Sequence, residues 1–264
     1  MSKRSIARFL FFLIFLACTA YIVYYMYDAK HNSDKAGVRA DTASRVNTES
    51  KEVKVVTAVD ESTGEERRLV LLSQYEKLYE QNKNLIGWIK IDDTNIDYPV
   101  MKSLNGNGEF YLDHDFNGNE DRNGTIFMDD ACDVIKPTEN YIIYGHNMKS
   151  GQMFGDLKKY KSESFFNDHQ IVKFDSIYEP GVYQVMFAFQ SHVYEENVIA
   201  FKYYQFIEPA SEKEFNSGIE EMRAQALYDS GITAQYGDRL LLLSTCDYDE
   251  ANGRFVVVCK RLPD

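Results

Sequence analysis

The sequence is poor in positive charge and contains no internal repeat. Lysine and arginine number 29 against 41 aspartates and glutamates, which gives a formal net charge of −12 over 264 residues. The first 27 residues carry +3, so the rest of the chain carries −15. Such an acidic chain is a poor candidate for nucleic acid, whose phosphates attract basic surfaces. We therefore expect no nucleic-acid partner.

One long uncharged run, Phe9 to Tyr27, stands near the N-terminus. As a helix, its 19 residues would be about 28 Å long and would just span a hydrocarbon core. Lys3, Arg4 and Arg8 precede it, which predicts a cytoplasmic N-terminus and an extracellular remainder. A cleaved signal peptide is the alternative, since Cys18-Thr19-Ala20 is a passable cleavage site. Because the apolar run continues to Tyr27, we favour an uncleaved, single-pass anchor over residues 1–27.

Cysteine is scarce as well. Of four cysteines, Cys18 lies in the apolar run, which leaves Cys132, Cys246 and Cys259 on the outside. An odd number leaves at least one thiol unpaired, and a free thiol outside the cell calls for a chemical explanation. The sequence thus directs attention to these three residues.

Metal-ligand patterns are also incomplete. The acidic stretch Asp113 to Asp121 has Glu120 where a calcium-binding EF-hand needs its glycine, and Ile126 where it needs its glutamate. His114 lies in this stretch, but no second histidine or cysteine stands at ligand spacing for zinc. We therefore interpret the stretch as a solvated loop and expect neither metal nor cofactor.

The remaining pattern predicts a polar stalk over residues 28–68 and a mainly β domain over residues 69–264. Apolar residues at helical spacing near Tyr75 predict one helix, and a capping box formed by Ser211 and Glu214 begins another that Gly231 would end. Alternating or β-branched runs predict strands in these segments: Gly87 to Met101 as a pair, Gly124 to Met128, Asn140 to Tyr144, Ile171 to Ile177 and Val182 to Ser191.

The last part of the chain, Arg239 to Leu262, predicts a β-hairpin. If its turn is centred near Glu250, Cys246 lies across from Arg254, and Cys259 lies across from Leu241. A cation beside a thiol favours the nucleophilic thiolate and could stabilise an oxyanion. The alternative is a buried cysteine beside a surface arginine. Cys246 and Cys259 would lie too far apart for a disulfide.

A cysteine nucleophile needs an acid or base partner, and five histidines compete for that role. His31, His114 and His169 lie in polar segments where solvation explains them. His146 and His192 both follow predicted strands. The residues alone leave these two equal.

The segment Leu243-Ser244-Thr245-Cys246, followed by Arg254, resembles the active-site hairpin of the sortases, which are cysteine transpeptidases of Gram-positive cell surfaces. Their pattern is Thr-Leu-x-Thr-Cys, and Leu242 replaces its first threonine here. Tyr144-Gly145-His146-Asn147 is similar to the sortase histidine segment, so the resemblance selects His146 over His192. The likeness is nearest to class B, on the two predicted helices and on the stretches Gly87 to Met101 and Phe110 to Asp129. It implies a closed β-barrel of about eight strands with peripheral helices, including one before the last two strands.

The resemblance also implies a reaction. Cys246 would attack the carbonyl after a threonine in the C-terminal sorting signal of a secreted protein, and a peptidoglycan amine would resolve the thioacyl enzyme. His146 would be the acid and base, Arg254 would hold the oxyanion, and Thr245 is a tentative substrate contact. No residue that orients His146 is identified, although Asp247 is adjacent to the nucleophile. A membrane-anchored cysteine peptidase and a non-catalytic surface domain remain the alternatives.

Overall fold

The computed structural model describes residues 11–27, 55–59, 66–195, 197–247 and 252–263. The chain separates into two units, Met1–Asp41 and Thr42–Asp264. In the first unit, residues 11–27 form helix α1. Within the described ranges, no helix is long and apolar enough to cross a membrane. Phe9, Leu10 and the three basic residues before them lie outside the described residues, as does most of the predicted stalk.

In the second unit, the first described element is a two-stranded antiparallel sheet, formed by β1 (Val55–Val59) and β2 (Glu66–Val70), with Val55 opposite Val70. This pair falls largely inside the range predicted as stalk, and the sequence interpretation did not anticipate it. The first strand is rich in β-branched valine, which is the composition that favours extended backbone.

The remaining strands belong to one larger sheet. They are β3 (Leu85–Lys90), β4 (Asp97–Met101), β5 (Phe127–Met128), β6 (Asn140–Tyr144), β7 (Ile171–Ser176), β8 (Val182–His192), β9 (Ala226–Asp229), β10 (Leu240–Asp247) and β11 (Gly253–Arg261). The helices of this unit are α2 (Glu76–Gln81), α3 (Glu163–Asp168) and α4 (Glu212–Arg223). Short 3-10 segments occupy Ser73–Tyr75, Phe110–Leu112, Gly155–Lys161 and Tyr203–Gln205.

The sheet closes on itself. Its strands follow the order β11-β10-β6-β5-β4-β3-β7-β8-β9, and β11 also pairs with β8. Eight strands therefore form a ring, and β9 is attached to the outside of β8. Closure removes the exposed edges that would otherwise attract other strands. The predicted barrel of about eight strands, with peripheral helices, is confirmed.

The hairpin at the end of the chain forms much of the core. Leu240 to Leu243 on β10 and Val256 to Val258 on β11 are completely buried. Strands covered on both faces carry continuous apolar runs rather than alternation, which explains the composition of both segments. The predicted register is also confirmed, because Leu241 pairs with Cys259 and Cys246 with Arg254.

The helix that was predicted to begin at the Ser211–Glu214 capping box forms, but it ends earlier than predicted. Ser211 is the N-cap of α4 and accepts a hydrogen bond from the Glu214 backbone N–H at 3.3 Å. The prediction carried this helix towards Gly231, and that is wrong: α4 ends at Arg223. Residues Ala226–Asp229 instead form β9 against β8, with Ala188 opposite Tyr228. Strand β8 extends beyond its pairing with β7, and pairing of β9 with that extension satisfies the backbone groups that the helix would have satisfied.

Candidate active site

Two parallel strands, β6 and β10, end at the same edge of the barrel. Tyr144 is the partner of Ser244 in their register, so the residues that follow each strand emerge side by side. The Gly145 N–H donates to the Ser244 carbonyl at 3.3 Å, and the Thr245 hydroxyl donates to the Gly145 carbonyl at 2.7 Å. His146 is thereby held beside the strand that carries Cys246.

The same connection continues past the histidine. The Asn147 side-chain amide donates to the Cys246 carbonyl at 2.8 Å. Gly145 has no room for a side chain, because an added Cβ would overlap the side chain of Ile126 and lie 2.9 Å from Phe154. Only glycine allows the backbone to approach this closely. Close packing at Gly145 and hydrogen bonds to β10 therefore hold the Tyr144-Gly145-His146-Asn147 segment in place.

Arg254 reaches the same edge from the third strand. It pairs with Cys246 across the antiparallel β10–β11 ladder, and its Nη1 donates to the neighbouring Gly253 carbonyl at 3.0 Å. Cys246 and Arg254 are both half-buried, in contrast to the core residues that precede Cys246 on its strand. The predicted pairing of thiol and guanidinium is thus present in the fold.

These residues share one cavity of about 380 Å³. His146, Thr245, Cys246 and Arg254 all line it. Its other walls come from the loop before β5, from strand ends and from the segment after β8: Gly108, Glu109, Leu112, Phe127, Asp129, Asp130, Tyr144, Gly145, Val193, Tyr203, Tyr204 and Ser244. A thiol, an imidazole and a guanidinium around one cavity suit nucleophilic attack on an acyl carbonyl.

His192 does not line this cavity. It ends β8 opposite Gly253, and its ring centroid lies 6.1 Å from that of Tyr194. Asp247 also lies apart from His146: its carboxylate accepts from Lys161 Nζ at 2.9 Å and from Gln190 Nε2 at 2.6 Å. Consecutive residues on a strand face opposite ways, so Asp247 points away from the side that carries Cys246.

His146 is instead held by a backbone group. Its Nε2 lies 2.7 Å from the carbonyl oxygen of Leu112, at the end of the 3-10 segment Phe110–Leu112. Backbone atoms leave no signature in composition, so this contact could not be predicted from the sequence.

Thr245 is only 2% exposed and uses its hydroxyl to bind Gly145, so its role as a substrate contact stays a prediction.

A polar pair that the sequence did not predict lies near the thiol. The Tyr203 hydroxyl and Ser244 Oγ lie 2.8 Å apart. Burial raises the pKa of Tyr203 to about 12, against the opposing effects of the Ser244 hydrogen bond and the Arg254 charge. The phenol is therefore neutral near pH 7. Ser244 could have been found by strand periodicity, since it lies two residues before Cys246, whereas Tyr203 lies in an irregular segment without a pattern.

A carboxylate is fixed on another wall. The Tyr144 hydroxyl donates to Asp129 Oδ2 at 2.8 Å. Burial, followed by the nearby Asp129 charge, raises the pKa of Tyr144 well above its usual range, so this phenol keeps its proton and continues to donate. The cavity is therefore electrostatically divided, with Arg254 on one strand and Asp129 beside β5.

Comparison with known proteins places this geometry in a family. The sortase domain model matches residues 89–262. The chain is 31% identical over 189 residues to sortase B of Staphylococcus aureus, covering 71% of this chain and 74% of that protein. It is 31% identical over 237 residues to sortase B of Listeria monocytogenes, covering 88% and 85% respectively.

Solved structures of sortase B are also similar to this chain. Sortase B from Bacillus anthracis, in complex with AAEK1, superposes with a TM-score of 0.71 at 28% identity, covering 90% of this chain and 100% of that chain. The Staphylococcus aureus sortase B–substrate complex gives 0.64 at 30% identity, covering 73% and 86%. The chain belongs to the sortase family, and the resemblance to class B is confirmed.

Proposed function

We propose that the chain is a cysteine transpeptidase that cleaves a C-terminal sorting signal after threonine and transfers the secreted protein to a peptidoglycan amine. The observation that carries the proposal is the convergence of Cys246, His146 and Arg254 on one cavity. Members of the family are cysteine transpeptidases, which supports the same reaction class. The proposed catalytic domain spans residues 69–264.

In the proposed reaction, the Cys246 thiolate attacks the carbonyl carbon and forms a tetrahedral oxyanion. Arg254 stabilises that oxyanion, because a guanidinium on a strand end presents fixed N–H donors. Collapse breaks the C–N bond, and His146 gives its proton to the leaving amine. The products of this half are a thioester on Cys246 and a neutral imidazole.

An incoming amine then attacks the thioester and loses a proton to His146. The new amide leaves, and Cys246 returns to the thiolate. Nothing in this cycle requires a metal, because the histidine carries the proton in both directions. The acceptor would be a peptidoglycan precursor, and the donors would be secreted surface proteins.

The proposed location is the outer face of the cell membrane, with residues 1–27 as an uncleaved anchor and 28–68 as a stalk. Its support is the uncharged run Phe9 to Tyr27, preceded by three basic residues. Membrane fractionation and N-terminal sequencing test this part. A mature N-terminus at Tyr21 would contradict it.

The reaction is tested by incubating the protein with candidate sorting peptides and reading the Cys246-bound fragment by mass spectrometry. We expect an acyl fragment that ends in threonine, and an amine-ligated product after addition of an oligoglycine or diamine. Hydrolysed peptide alone, at all amine concentrations, would favour the peptidase alternative. No adduct with any peptide would favour the non-catalytic alternative.

A further inference from the structure

The contact between Leu112 and His146 defines which imidazole nitrogen carries a proton. Nε2 lies 2.7 Å from the Leu112 carbonyl oxygen. A carbonyl has lone pairs and no proton, so it only accepts, and Nε2 must be the donor. Nδ1 makes no hydrogen bond to any residue that the structure describes. Neutral His146 is therefore the Nε2–H tautomer, with the lone pair on Nδ1.

The position of that carbonyl depends on a second backbone segment. Gly124 lies behind it with φ of +58°, and an added Cβ would overlap the Leu112 oxygen and come within 2.6 Å of the Tyr111 oxygen. The next residue, Thr125, donates its N–H to the Tyr111 carbonyl and its hydroxyl to the His114 carbonyl, both at 2.9 Å. Residues 124 and 125 thus support the 111–114 segment from behind, while Leu112 contacts the histidine in front.

We infer that Gly124 is a positioning residue for the reaction: it allows the Leu112 carbonyl to hold His146 as the Nε2–H tautomer, so that Nδ1 exchanges the proton. This inference rests on the proposed function. As the C–N bond breaks, the Nδ1–H proton passes to the leaving amine, while the Nε2–H bond to Leu112 is retained. The incoming amine later returns a proton to Nδ1. One nitrogen serves both half-reactions, and the ring need not rotate between them.

The loop offers a matched pair of glycines for the test. Gly118 has φ of +78°, and the atom nearest to an added Cβ there is Phe110 Cζ at 3.9 Å. Gly118→Ala and Gly124→Ala therefore impose similar left-handed backbone strain, but only Gly124→Ala displaces the Leu112 carbonyl. We expect Gly124→Ala to lower kcat for transfer by about 10- to 100-fold with KM changed less than about 2-fold, because misplacement of a proton donor slows the chemistry. Gly118→Ala should stay within about 2-fold of wild type in both.

A second substitution tests the contact without adding an atom to the core. Replacing Asp113 by its α-hydroxy analogue, malic acid, turns the Leu112 amide carbonyl into an ester carbonyl, which is a weaker acceptor. The Asp113 N–H that is lost makes no hydrogen bond to the described part of the chain. We expect a several-fold fall in kcat, because a weaker acceptor holds the Nε2–H tautomer less firmly.

The tautomer is read directly by ¹⁵N NMR of histidine-labelled protein, with the His146 signals assigned from their loss in His146→Gln. Wild type and Gly118→Ala should show protonated Nε2 and unprotonated Nδ1 at high pH, and the ester and Gly124→Ala should show a mixture. A protonated Nδ1 in wild type would overturn the inference, as would unchanged kcat and tautomer in both altered proteins. The NMR measurement needs no substrate. Failure of the proposed function, seen as absence of any thioester on wild type, is therefore distinguished from failure of this inference.

Discussion

The two ends of the β10–β11 pair use the same residue types in opposite ways. At the cavity end, Cys246 faces Arg254, and no carboxylate binds Arg254 among the residues that the structure describes. At the other end, Arg239 and Arg261 both bind Glu179, at 2.5 and 2.7 Å. Cys259 lies on the same strand as Arg261 and is completely buried. One end of the pair therefore presents a thiol and an arginine to a cavity, whereas the other end buries its thiol and pairs its arginines with a carboxylate.

This difference separates residues suited to chemistry from residues suited to stability. The single carboxylate of Glu179 is shared by Arg239 and Arg261, whereas Arg254 binds no carboxylate in the described part of the chain and can face a ligand in the cavity. Burial raises the pKa of Cys259 well above the usual range, so that thiol stays neutral and unreactive. The predictions below test whether the two ends differ in function as they differ in environment.

The largest expected effect is loss of the proposed nucleophile. Cys246→Ala should reduce thioester formation and amine transfer by at least about 10⁴-fold, because no other group can form the covalent intermediate. Cys259→Ala should keep activity within about 3-fold while costing about 1 kcal/mol of unfolding free energy for a small cavity. Mass spectrometry of the acyl adduct and thermal melts provide the two readouts. An equal loss of transfer activity in both variants would show that the two ends do not differ in function.

Loss of the proposed acid–base partner is expected to have the next largest effect. His146→Ala should lower the rate of transfer by about 10²- to 10⁴-fold, the range for removing a positioned proton donor. His192→Ala is the matched control, since His192 also ends a strand but lies outside the cavity lining. Its activity should stay within about 3-fold of wild type. Similar losses from the two substitutions, with both proteins folded, would contradict the assignment.

The alkylation rates of the cysteines should distinguish the cavity thiol from the buried thiols in the unsubstituted protein. Burial raises the pKa of the Cys132 thiol to about 12 and raises the pKa of the Cys259 thiol further. Both are therefore neutral thiols at pH 8. Because the thiolate is the reactive form, Cys246 should be alkylated at least about 10³-fold faster than either. Peptide mapping after timed exposure to iodoacetamide at pH 8 measures all three rates in one sample. Comparable labelling of Cys132 in the folded protein would contradict the prediction.

Sequence patterns predicted the parts of the site that depend on strand register. The pairing of Cys246 with Arg254 follows from the position of the turn and the period of a strand. His146 required the family resemblance, since His192 also follows a strand. The parallel alignment of β6 with β10, which separates these two histidines, is a long-range pairing that local sequence does not encode.

Contacts made by backbone atoms could not be predicted from the sequence, for a different reason. The Leu112 carbonyl that binds His146 could belong to any residue type, so residue 112 carries no signal of its role. In the same way, β9 forms because β8 extends beyond its pairing with β7, and its own sequence, Ala-Leu-Tyr-Asp, is too short to predict a strand.

Arg254 tests the cavity end of the hairpin more finely than the thiol does. Arg254→Ala should slow thioester formation by about 10²- to 10³-fold, by analogy with loss of one oxyanion donor. Arg254→Lys should recover only part of the rate, because an ammonium lacks the planar fork. Pre-steady-state thioester formation is the measurement, with thermal melts as the check on folding. Near-normal acylation by the alanine variant would refute the oxyanion role, and a collapsed melt would show that Arg254 is structural.

The smallest expected effect lies at the opposite end. Glu179 is 42% exposed and accepts from Arg239 and Arg261, so Glu179→Gln removes a charge that two guanidinium groups share. Partly exposed pairs contribute little, and we expect a loss of about 1 kcal/mol in unfolding free energy, or about 2–4 °C in Tm. Added salt should shrink the difference between variant and wild type, since screening weakens exposed pairs. Transfer activity at 25 °C should not change, because Glu179 does not line the cavity. If Glu179→Gln lowered transfer activity while Tm stayed unchanged, the two ends of the hairpin would be coupled. The separation of a chemical end from a stabilising end would then be wrong.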